Sequence, residues 1–107
     1  MTTTTIACTL DRDGQRSRRE RWLVLGSRAL VAVTTTERGL ELAFAAEPGV
    51  EEELLELAEL ERDCCAFAAW TVGARTDRVV LDVAGSSDEG VLAVQGMFGP
   101  LRELLAA

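Results

Sequence analysis

Two adjacent thiols, Cys64 and Cys65, are the most reactive groups in a chain that contains no histidine and no tyrosine. They stand in the run Glu61-Arg62-Asp63-Cys64-Cys65-Ala66-Phe67, where a helical pattern hands over to a strand pattern. Such a pair can bind a soft metal, exchange disulfides, or fill space. Neighbouring Cα atoms across a trans peptide lie about 3.8 Å apart, short of the roughly 4.4–6.8 Å of a relaxed disulfide. A bridge within the pair would therefore be strained and easily reduced. Structural zinc is disfavoured, because it favours four ligands and the chain offers neither histidine nor a Cys-x-x-Cys. Hg(II), As(III) and Cu(I) accept two or three thiolates and match the pair better. Cys8 could complete a three-sulfur site, although its place on an apolar strand face with Ile6 and Leu10 fits a plain buried thiol better. Catalysis is the least favoured use. A nucleophilic cysteine commonly needs a base, and a helix C-terminus with Glu59, Glu61 and Asp63 nearby raises a thiol pKa instead of lowering it.

The element that must carry the pair is a helix starting after Glu47-Pro48-Gly49. Its first turn holds Glu51, Glu52 and Glu53, which complement the positive end of the helix dipole. Leu54, Leu57, Ala58, Glu61 and Cys65 form one stripe at helical spacing, with Leu60 and Cys64 beside it. Glu61 thus interrupts an apolar face one turn before the thiols, where a carboxylate needs a partner or a pocket rim. Two uses are open to it: ligand or proton acceptor beside the thiols, or ion pairing with an arginine such as Arg28 or Arg62.

The remaining elements follow from periodicity and punctuation. Thr3 to Leu10 alternates as a strand, and Asp11 or Asp13 can cap a helix from about Gln15 to Ala29. Strands are expected at Leu30–Thr36, Leu40–Phe44, Phe67–Val72 and Arg78–Val83, with turns at Glu37-Arg38-Gly39 and Arg75-Thr76-Asp77. Ser86-Ser87-Asp88 caps a last helix from about Glu89 to Phe98, Gly99-Pro100 stops it, and Leu101–Ala107 adds a further helical turn or tail. Leu40, Leu42 and Phe44 are echoed in spacing by Val79, Leu81 and Val83. The expected fold is α+β: two αββ units forming one antiparallel sheet with helices mainly on one face, plus an N-terminal strand and a C-terminal helix. One domain spanning residues 1–107 accommodates it. Trp22, Trp70, Phe44, Phe67 and Phe98 fall on apolar periods and are assigned to the core; a ligand pocket walled by Trp22 and Trp70 is the less favoured alternative.

Composition excludes several classes. Acids number 18 against 11 basic residues, all arginine, giving a net charge of −7. That surface repels nucleic acid. Arg12, Arg16, Arg18, Arg19 and Arg21 form a local basic cluster, read as a solvated helix start or as a contact for Glu51-Glu52-Glu53 within one chain or across a dimer. No apolar stretch reaches the roughly 18 residues of a membrane helix, and the polar start lacks a basic, apolar targeting pattern. A cytoplasmic protein with reduced cysteines is expected.

The segment Glu61-Arg62-Asp63-Cys64-Cys65-Ala66-Phe67, followed by Trp70 and a closing Met97-Phe98-Gly99, resembles small actinobacterial proteins carrying Glu-x-x-Cys-Cys-Pro-Phe-like segments. Similar segments occur at the ends of some MerR-like, metal-responsive regulators. Arg18-x-x-Arg21-Trp22-x-x-Leu25 is similar to that group too. Ala66 departs from the commoner proline. The resemblance implies soft-metal association and nothing about an enzyme. Two functions are therefore expected in order. The first is a cytosolic thiol protein binding a soft metal or metalloid ion through Cys64 and Cys65, with Cys8 and Glu61 as further ligands. The second is a non-catalytic interaction module, a homodimer using the sheet face or an exposed strand edge, with cysteines in a packing role.

Overall fold

The computed structural model describes residues 12–64 and 68–106, with elements in the order α1 (Arg12–Ala29), β1 (Leu30–Thr35), β2 (Gly39–Ala45), α2 (Val50–Cys64), β3 (Ala68–Ala74), β4 (Arg78–Gly85), α3 (Asp88–Met97) and α4 (Gly99–Ala106). The expected strand at Thr3–Leu10 lies outside the described residues. The fold is α+β, with one antiparallel sheet in the order β1-β2-β4-β3.

The central pair is β2 and β4, registered with Leu40 opposite Val83, Leu42 opposite Leu81, and Phe44 opposite Val79. All six side chains are buried. Because strand side chains alternate faces, this pairing makes one face of the sheet continuously apolar. Glu41 and Asp82, also directly opposed, are left on the other face. The helices cover the apolar face. α1 contributes Trp22, Leu25 and Ala29, α2 contributes Val50, Leu54, Leu57 and Ala58, and Val94, Phe98 and Leu101 close the cluster.

The echo in the sequence is a structural repeat. Leu40 and Val79, Leu42 and Leu81, and Phe44 and Val83 are each thirty-nine positions apart. At the same offset, the turn bond from Thr36 N–H to the Gly39 carbonyl (2.9 Å) returns as Arg75 N–H to the Arg78 carbonyl (2.7 Å). The two αββ units are thus related by a pseudo-twofold that places equivalent strands β2 and β4 at the centre and β1 and β3 at the edges.

Several boundaries differ from expectation. α1 is described from Arg12, so Asp13 lies inside the helix, and Asp11 lies outside the described residues. Ser87 is the N-cap of α3, accepting from Gly90 N–H at 3.1 Å, as serine at that position should. Gly99-Pro100 ends α3 but also opens α4. Proline lacks an N–H that the first helical turn would leave unpaired in any case, so it starts a helix as readily as it stops one. Gly49 has φ of 85° ahead of α2, a left-handed conformation suited to glycine.

At the end of β4, a Cβ on Gly85 would fall 2.3 Å from the Val91 nitrogen and 2.4 Å from the Gly90 carbonyl carbon. Gly96 has open space around it and lies within α3. Gly85→Ala is expected to cost about 2 kcal/mol or more through backbone displacement. Gly96→Ala should stabilise by up to about 1 kcal/mol through helix propensity. Urea denaturation of the two variants beside the parent checks both signs.

Candidate functional site

α2 ends at Cys64 and β3 begins at Ala68, so the thiol pair falls at the junction between a core helix and an edge strand. Cys8, Cys65 and Phe67 lie outside the described residues. The residue one turn earlier is well defined. Glu61 is 3% exposed and is the only charged residue buried in the core among the described residues. It continues the stripe of Leu54, Leu57 and Ala58, all of them fully buried.

Two groups from α1 meet its carboxylate. Trp22 Nε1–H donates to Glu61 Oε2 at 2.8 Å, and Arg18 Nη1 lies 3.4 Å from the same oxygen. Arg18 and Trp22 are four apart, on one helix face. Trp22 and Glu61 are themselves thirty-nine positions apart, so they occupy equivalent places in the two αββ units. They meet where α1 and α2 pack near the pseudo-twofold.

The sequence-based pairing of Glu61 with Arg28 or Arg62 is corrected here. α1 and α2 run antiparallel, which carries Arg28 to the start of α2. There it bonds the Pro48 carbonyl and lies 3.7 Å from Glu47. Eleven helical residues, about 16 Å, separate the start of α2 from Glu61. Arg62 is rotated about 100° from its neighbour and donates to the Trp70 carbonyl of β3 at 2.7 Å. The basic cluster is likewise more than a solvated helix start. Arg21 bonds Glu53 (2.9 and 3.1 Å) and Glu56, which meets the expected contact with the acidic first turn of α2 inside one chain. Hydrogen bonds to Glu53, and then to Glu56, raise the Arg21 pKa above the ordinary arginine value. Its charge, and whatever stability follows from it, is therefore constant through neutral pH.

Aromatic packing continues the site. Trp22 and Phe98 meet edge to face at 5.2 Å between centroids, and Trp70 meets Phe98 at 6.0 Å. Phe98 thus fills the space between the two indoles and makes them core, in place of a ligand pocket between them. Trp22 has an acceptor for its N–H. Trp70 buries its Nε1 with no hydrogen-bond partner among the described residues, at a cost of about 1–3 kcal/mol.

Among the described residues no three histidine, cysteine, aspartate or glutamate side chains form a group that could hold a metal. No helix there is long and apolar enough to cross a membrane. Sequence reasoning had Trp22 as plain core and missed it as a donor. The available signal was that a buried indole N–H usually finds an acceptor, while Glu61 on an apolar stripe needed a donor. Comparison with known proteins gives no match to a family model, a curated protein or a solved structure.

The two tryptophans provide an internal comparison. Both substitutions to phenylalanine lose packing volume, but only Trp22→Phe removes a hydrogen bond to a buried carboxylate. Trp22→Phe should cost about 1–2 kcal/mol more than Trp70→Phe. Glu61→Ala, which removes the acceptor of a buried indole N–H and the ion pair with Arg18, should cost about 3 kcal/mol. Equilibrium unfolding of the three variants checks the order.

Proposed function

We propose that this protein binds a soft metal or metalloid ion through the vicinal thiols of Cys64 and Cys65, with Cys8 as a third sulfur. The observation that carries the reading is the position of the pair. It follows directly on a helix end that Trp22 and Arg18 fix through Glu61, with three residues between Cys64 and the first residue of β3. Two thiolates at such a junction suit ions of low coordination number, such as Hg(II), As(III) or Cu(I), better than zinc with its four ligands. Strain opposes a bridge between adjacent cysteines, so the pair is retained as a dithiol. The likeness of Glu61-x-x-Cys64-Cys65 to segments of metal-responsive regulators points the same way.

Glu61 serves in this reading as support for the site. Its Oε2 already takes the Trp22 N–H and faces Arg18. An ion at that oxygen would have to displace the indole N–H and the ion pair with Arg18 together. The ligands are then sulfurs, and Glu61 holds the helix end that presents them. The reading assigns binding and no reaction.

Titration of the reduced protein with Hg(II), As(III), Cu(I) and Zn(II) under a competing thiol tests it. The parent should bind one soft ion per chain and prefer it to zinc. Cys64→Ser/Cys65→Ser should lose at least about a hundredfold in affinity, roughly 2.7 kcal/mol. Glu61→Gln should keep the one-to-one stoichiometry. Undiminished binding by the double serine variant removes the reading.

A further inference from the structure

The two αββ units diverge where the helix passes into the edge strand. In the first unit α1 runs to Ala29, and β1 follows at Leu30 without a break. In the second, α2 is described to Cys64 and β3 opens at Ala68, whose counterpart at the thirty-nine-residue offset, Ala29, is still helical. The second unit also holds a bond that the first lacks. Arg62 Nη2 donates to the Trp70 carbonyl at 2.7 Å, across eight positions of sequence. Cys64 and Cys65 both fall within that span. The counterparts of Arg62 and Trp70 in the first unit are Leu23 and Val31. Leucine has no side-chain donor, and Leu23 packs against the core instead.

We propose that Arg62 is the positioning residue of the ion site, a clasp that closes the span of chain carrying both thiols before an ion binds. The proposal rests on the soft-ion reading of the pair. Arg62 is an exposed residue of α2, and holding so long a side chain in one place costs rotamer freedom. What the bond supplies is closure. Glu61 fixes the helix end to α1, but Arg62 ties that end to the strand on the far side of the thiols. A segment joined at both ends has fewer conformations to lose when its side chains converge on an ion. Groups that orient ligands without touching the metal commonly set its affinity by about ten- to a hundredfold. Arg62 also carries a positive charge two residues from Cys64, which by itself favours thiolate, so the test must separate closure from charge.

Arg62→Met keeps an apolar stem and removes both the donor and the charge. Arg102→Met is the matched control, because Arg102 holds the Thr35 hydroxyl at 2.8 Å on β1, the opposite edge of the sheet. The first measurement uses no ion. In a Cys8→Ser chain, the reduced pair is alkylated with iodoacetamide, and thiolate absorbance against pH gives the thiol pKa. At equal thiolate fraction, Arg62→Met should label at least about threefold faster, the worth of one hydrogen bond, and Arg102→Met at the rate of the Cys8→Ser parent. The second measurement titrates the full-length variants with Hg(II) and As(III) under a competing thiol. Arg62→Met should lose about tenfold in affinity while keeping one ion per chain and the same thiolate-to-metal absorption band; Arg102→Met should match the parent. Equal labelling of Arg62→Met and its parent overturns the clasp, whether or not the pair takes an ion. Faster labelling with unchanged ion affinity overturns the positioning role alone. An affinity loss accounted for by a raised thiol pKa also overturns it, by making Arg62 a charge effect. Failure of the binding reading shows separately, as undiminished binding by Cys64→Ser/Cys65→Ser, and takes the proposal with it.

Discussion

The register between β2 and β4 is the constraint on which the remaining structure depends. With Leu42 opposite Leu81, the neighbouring pairs Leu40–Val83 and Phe44–Val79 fall on the same side, and six apolar side chains make one floor for every helix. A slip of one residue in either strand would turn Glu41 or Asp82 into that floor. The burial of Val50, Leu54 and Leu57 would then have nothing apolar to meet. Because these strands are also the equivalent members of two αββ units, their pairing fixes the pseudo-twofold, and with it the antiparallel packing of α1 on α2.

That packing explains why a carboxylate can stand in the core. Glu61 would be costly alone, but the helix alignment delivers an indole N–H and a guanidinium to it. A well-packed apolar side chain at the same place would often match or exceed such an arrangement in stability. What an apolar residue could not do is discriminate between alignments. Apolar faces slide on one another with little penalty, whereas Trp22 reaches Glu61 in only one relative position of the helices. The Arg21 contacts with Glu53 and Glu56 lie at or near the surface, where ion pairs contribute about 1 kcal/mol or less, and they reinforce the same alignment without deciding it.

Much of this was legible in the chain. Period-two alternation in Leu40–Phe44 and Arg78–Val83, and the stripe Leu54, Leu57, Ala58, are local patterns that report directly on burial, so the α+β class and the αββ repeat could be read from them. The partner of Glu61 could not. It depends on which way α1 crosses α2, a tertiary relation that no single-segment pattern encodes. Arg28 and Arg62 were reasonable on charge alone and wrong on geometry. Gly99-Pro100 failed for a different reason, since the same dipeptide serves as a stop and as a start, and only Leu101 packing under α1 at Gly26 decides between them. For the thiols, the chain supplied residue types and spacing. Cys64 is placed at the end of α2, and the other two cysteines lie outside the described residues.

The turn that carries Glu61 and Arg62 ties together elements that are otherwise separate. Glu61 faces inward to α1, and Arg62 faces the edge strand, holding the Trp70 carbonyl. The helix end preceding the thiols is thus anchored on two sides, once to the helical layer and once to the sheet. An anchored helix end favours binding over exchange chemistry. A dithiol that must attack and rearrange needs freedom, which an anchored helix end restricts. A dithiol that must present two sulfurs to one ion gains from having its approach fixed beforehand, because less freedom is lost on binding.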